Sequence, residues 1–206
     1  MRKRQTMNGF GTVVKIILAL GVLLVLMKSC GDETPSLPSS ASEQLPDPQQ
    51  SSSSEEPFAF GAYTITPLAD FTITARVLSS ERYRFGREAE LSPVDLALGW
   101  GPMANENVLK SIEISQSNRW YYWRTQKLPI PRREIETHSA NMHMIPKDDA
   151  VKSVLLNADE GDVVTIEGAL VRVNAGDGWF WKSSLTRNDT GNGACEVVFV
   201  ESAAVR

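Results

Sequence analysis

The chain has 206 residues, with 21 basic and 25 acidic side chains and a formal charge of −4. That near-balance offers no basic face of the kind a nucleic-acid partner requires, and none is expected. Cys195 is the only cysteine after residue 30, which excludes a disulfide within the C-terminal part.

Composition divides the chain into three parts. Residues 1–30 carry five basic side chains and no acid, whereas residues 31–56 carry six acids and no base among Ser, Pro and Gln. Ile16–Met27 is apolar, and the run reaches back to Phe10 if Lys15 is admitted. That longer reading approaches the ~20 residues a bilayer span needs. Lys15 and Lys28 can snorkel toward headgroups, and Arg2, Lys3 and Arg4 hold the N-terminus in the cytoplasm. The expectation is a single-pass transmembrane signal-anchor, membrane contact through residues 10–27, and a C-terminal domain outside the cytoplasm. A cleaved signal peptide and a lipoprotein anchor at Cys30 are the alternatives. The box Met27-Lys28-Ser29-Cys30 departs from the lipoprotein pattern at Lys28. Residues 31–56 read as a disordered linker and 57–206 as the folded domain.

Within 57–206, Phe71–Leu78 alternates apolar and polar residues and predicts a half-buried strand. Ser92, Pro93 and Asp95 are N-terminal signals of a short helix running to Gly99, with Trp100 just beyond it. Asn105 caps a second short helix. Residues 111–124 predict a hairpin turning at Ser117-Asn118 and returning through Trp120, Tyr121, Tyr122 and Trp123. Four consecutive aromatics cannot share one face of a strand, so one of the two faces is either covered by another element or presented to a ligand. Residues 135–143 read as a polar loop holding His138 and His143. A helix follows from Pro146 to Asn157, with the proline at its start and Asp148 and Asp149 in its first turn. Strands are then expected over 163–173, 179–186 and 195–201, the last two closing an antiparallel meander. The fold expectation is mainly β (α+β): a small antiparallel β-barrel or bent sheet, loosely like an oligonucleotide/oligosaccharide-binding or SH3-like barrel, with two or three short helices.

The strings LSPVDLALGWGPM, ISQSNRWYYWR, ETHSANMHMIP and TGNGACEVVFVE resemble a group of uncharacterised bacterial envelope proteins with N-terminal anchors. The resemblance covers nearly all of residues 63–202. It implies a bacterial extracytoplasmic context and brings no activity with it; together with the anchor reading, the expectation is a bacterial inner-membrane protein with its domain in the periplasm.

The binding surface expected from these residues is the aromatic hairpin, Trp120, Tyr121, Tyr122 and Trp123, together with Trp179 and Trp181. The function that follows is an extracytoplasmic interaction domain for an envelope partner protein or a glycan, with no cofactor. The alternative is a cysteine-dependent hydrolase or transpeptidase using Cys195 with His138 or His143 as base. Lone buried cysteines are more often packing residues. The two histidines are five apart, a spacing that suits neither face of a helix or strand, so no metal site is expected.

Overall fold

The structure is a computed structural model and describes residues 45–186 and 195–206. Its strands are β1 (Gln49–Ser52), β2 (Phe58–Phe60), β3 (Tyr63–Arg82), β4 (Val94–Gly99), β5 (Glu113–Ser117), β6 (Trp120–Arg124), β7 (Ser139–Pro146), β8 (Val163–Ala175), β9 (Phe180–Lys182) and β10 (Glu196–Val205). The α-helices are α1 (Arg87–Leu91), α2 (Glu106–Leu109), α3 (Arg132–Thr137) and α4 (Asp149–Leu156), and a 3-10 turn covers Gly101–Ala104. The molecule is mainly β, with one large mixed sheet and few helices.

The alternation that predicts a strand at Phe71–Leu78 runs through β3 from Tyr63 to Val77. Ile65, Phe71, Ile73, Ala75 and Val77 are buried on it, while Asp70 and Thr72 are exposed. Two register shifts, between Pro67 and Ala69 and between Val77 and Ser79, let this long strand serve different partners. Residues 63–76 pair with β8, residues 76–82 with β4, and residues 69–72 also with β1. β4 pairs with β7 and β10 with β8, both antiparallel, but β7 and β10 run parallel. β8 is antiparallel to both β9 and β10, but β10 pairs with β8 and β7 rather than with β9, so the expected sequential meander and the all-antiparallel sheet are corrected.

Four segments depart from the sequence expectations. Val94–Gly99 is a strand rather than a helix, and all six of its residues are buried. A strand covered on both faces shows no alternation, so the helix-start signals at Ser92 and Pro93 were the only local pattern to read. Residues 132–137 are helical, although 127–134 read as an extended, proline-spaced segment and 135–137 as the start of the histidine loop, and the rest of that supposed loop is largely strand β7. The segment 45–56, assigned to a disordered linker, begins with a buried Leu45 whose carbonyl accepts from Gly101 N–H at 2.9 Å. It continues into β1 on the edge of β3. A polar segment can be ordered by backbone bonds borrowed from a neighbouring strand, which composition does not register.

The expectation of a transmembrane helix is also corrected. Among the described residues no helix is long and apolar enough to cross a membrane, and residues 10–27 and Cys30 lie outside them.

The main core is formed by Phe71, Ile73, Leu96, Leu98, Met142, Met144, Ile166 and Val198. A second cluster holds Ile65, Val171, Val173 and Phe199, with Phe58 and Phe60 edge-on to the Phe199 ring. Gly168 belongs there for steric reasons: a Cβ on it would stand 2.0 Å from the Phe199 carbonyl oxygen. A third cluster, Leu78, Ala97, Met103, Ile112 and Ile135, carries the β5–β6 hairpin through Ile114, Tyr121 and Trp123.

Candidate functional site

The β5–β6 hairpin is a two-stranded sheet of its own. Its two-residue turn, Asn118-Arg119, has φ of 52° and 71°, the left-handed pair that matches the twist of a tight hairpin. Asn accepts that conformation readily, whereas an Arg there is strained. The strain is offset by an anchor. The Arg119 guanidinium donates to Asp95 Oδ1 at 2.6 Å and to the Ser92 carbonyl at 2.9 Å, and lies 3.7 Å from the centre of the Tyr83 ring. The Arg119 main chain is held as well. Its N–H donates to Tyr83 Oη at 2.9 Å, and its carbonyl accepts from Asn141 Nδ2 at 3.1 Å.

Asp95 is fully buried, and its other oxygen, Oδ2, lies 2.9 Å from His143 Nδ1, off the hydrogen-bonding direction. The Trp181 ring covers the imidazole at 4.6 Å between centroids. His143 is therefore part of a buried Arg–Asp–His group beneath the hairpin tip. His138 stands elsewhere. Its Nδ1 lies 3.0 Å from the Glu134 carbonyl and 3.2 Å from the Glu134 carboxylate, and its ring tilts against Trp100. His138 caps the C-terminal end of α3 whereas His143 lies within β7, and the two imidazoles join different groups. Among the described residues no three His, Cys, Asp or Glu side chains are placed to hold a metal ion.

β6 sorts its aromatics by face. Tyr121 and Trp123 are half-buried against the third cluster, while Trp120 and Tyr122 remain 37% and 52% exposed. The Tyr121 hydroxyl donates to Ser139 Oγ at 3.0 Å, and Ser139 in turn donates to the Ile135 carbonyl at 2.7 Å. Burial pushes the Tyr121 phenol up to about 12, against the opposing effect of the Ser139 contact, so it stays a neutral donor.

A cleft of about 580 Å³ opens beside β6. Residues 120–124 form one wall; Ser139, Ala140 and Asn141 face them, and α3 contributes Arg132 and Glu136. Cys195, half-buried, and Glu196 lie on the β10 side. Neither histidine lines this cleft. The third aromatic group lies apart from it. Trp179 and Trp181 pack against the second cluster, with Arg87 over Trp179, while Phe180 is 56% exposed with Arg172 against its ring.

Sequence reading missed Asp95, Arg119, Ser139 and Asn141. The signal for the last two was available: Ser139, Asn141 and His143 alternate with Ala140, Met142 and Met144, the period of a half-covered strand. Arg119 and Asp95 carry no such signal, because only the folded chain brings them together. No family model, curated protein or solved structure matches the chain, so the cleft is read from its own chemistry.

Proposed function

We propose that this protein is a binding module that takes a partner protein or a glycan in the cleft beside β6. One observation carries the reading. The cleft is walled by aromatic planes and bordered by hydroxyl, amide, guanidinium and carboxylate groups, the mixture of apolar surface and sparse polar groups that binding sites use. Two of those aromatics, Trp120 and Tyr122, stay open although the hairpin has a core beneath it to bury them in.

The scaffold suits the role. The pairings run from β3 through β4, β7, β10 and β8 and return to β3, which supports a partly open five-stranded barrel of the oligonucleotide/oligosaccharide-binding kind. The binding reading is preferred to a cysteine-dependent hydrolase or transpeptidase because Cys195 borders the cleft while His138 and His143 do not.

Tryptophan fluorescence tests the proposal, with the full chain titrated against a glycan panel and a random octapeptide library. At least one class should bind saturably. Trp120→Ala combined with Tyr122→Ala should weaken that binding about tenfold, the equivalent of ~1.4 kcal/mol. Binding that survives both substitutions, or no binding of either class, would remove the cleft as the site.

A further inference from the structure

We infer that the cleft is a strand-addition site, in which an extended peptide hydrogen-bonds to the edge of β6 away from β5, an edge that no other described strand pairs with. This deepens the reading above and rests on it.

The first observation is which residues line the cleft. Trp120, Tyr121, Tyr122, Trp123 and Arg124 all do, although successive side chains of a strand point to opposite faces, and no residue of β5 contributes. A cleft that meets both faces of β6 and nothing of its partner runs along the edge of β6 that faces away from β5.

The second observation is the bonding phase. A two-residue turn of this kind makes its flanking residues a hydrogen-bonded pair, here Ser117 with Trp120. In an antiparallel ladder such pairs alternate. Trp120, Tyr122 and Arg124 thus direct their main-chain groups at β5, while Tyr121 and Trp123 direct theirs outward, toward the cleft. The same edge is satisfied one step earlier, where Arg119 bonds to Tyr83 and Asn141 through its N–H and carbonyl. Among the described residues no bond from outside the hairpin reaches the main chain of Tyr121 or Trp123.

The third observation is what is missing from this edge. Edge strands are commonly blunted by Pro, Lys, bulges or inward charges. β6 carries none within Trp120–Trp123, and its register with β5 is regular. An amide-rich, extended ligand is the chemistry that meets alternating donors and acceptors at this spacing. A sugar chain would use the ring faces but not the alternation.

The test begins with selection of octapeptides on the full-length protein, and the enriched sequence is then made as a capped synthetic peptide. Single N-methyl groups are placed along it in turn. Methylation at alternate positions should cut affinity at least tenfold, and methylation between them should leave it unchanged. On the protein, Trp123→Pro removes an outward N–H without breaking a bond to β5. It should bind the peptide at least tenfold more weakly than Trp123→Ala, which keeps that N–H. A peptide whose binding ignores the position of the methyl group overturns the inference, and so does a Pro variant that binds like the Ala variant. Chitohexaose quenching Trp120 with no peptide enriched would overturn strand addition while leaving the cleft as a binding site. A concentration-dependent dimer, dissolved by Trp123→Pro and taking up no peptide, would replace the peptide with a second copy and overturn it too. If neither peptide nor glycan binds, both readings fail.

Discussion

Arg119 holds a strained backbone and a buried charge together, and each explains why the other is tolerated. Its positive φ costs on the order of 1–3 kcal/mol for a residue other than glycine. That geometry is what delivers the guanidinium to Asp95, a carboxylate with no exposure to water. Removing the cation would leave Asp95 buried beside His143 without its strongest partner. Arg119→Ala should therefore destabilise the fold by about 3–5 kcal/mol in urea unfolding. Arg119→Lys should recover only part of that loss, because an ammonium cannot reach Asp95 and the Ser92 carbonyl as a planar fork while stacking on Tyr83. A Lys variant as stable as the parent would show that charge alone anchors the tip.

At the scale of the element, the β5–β6 hairpin is one strand pair with two different faces. Tyr121 and Trp123 pack on the cluster of Leu78, Met103 and Ile135, and Trp120 and Tyr122 do not. Alanine at 121 or 123 should cost about 3 kcal/mol, the low end for truncating a packed aromatic. Alanine at 120 or 122 should stay within about 0.5 kcal/mol. Thermal melts of the four single variants measure this directly, and equal losses across the set would mean that the hairpin is packed on both sides. The contrast matters for function, since only aromatics that the fold does not need can be altered without confusing binding with stability.

At the scale of the whole molecule, the domain begins earlier than its composition suggests. Leu45 is buried in the main core beside Trp100 and Ala104, and the following strand lies on β3. Leu45→Ala in the full chain should lower unfolding free energy by about 2–3 kcal/mol. An unchanged urea midpoint would place residues 45–52 outside the cooperative unit. The segment stays in place for two modest reasons, one apolar anchor and a short run of backbone bonds, and neither leaves much trace in a stretch rich in Ser and Gln.

What the sequence determined by itself was local and periodic. The alternation at Phe71–Leu78, the existence of a hairpin over 111–124 and of a helix ending near Asn157 were legible because each is specified by neighbours within a few residues, although the turn lies one residue later than expected and the helix starts at Asp149 behind an Asp148 cap rather than at Pro146. The division of the four aromatics between two faces was legible too, though not whether either face would be left exposed, nor which pair. Tertiary structure alone decided the rest. β4 is covered on both faces, so its pattern vanished into a run of buried residues with misleading helix signals before it. β7 and β10 are more than fifty residues apart and run parallel, a pairing no local pattern encodes. The cleft has the same origin. Its walls come from β6, α3, β7 and the start of β10, and among the described residues β5 is the one strand that pairs with β6.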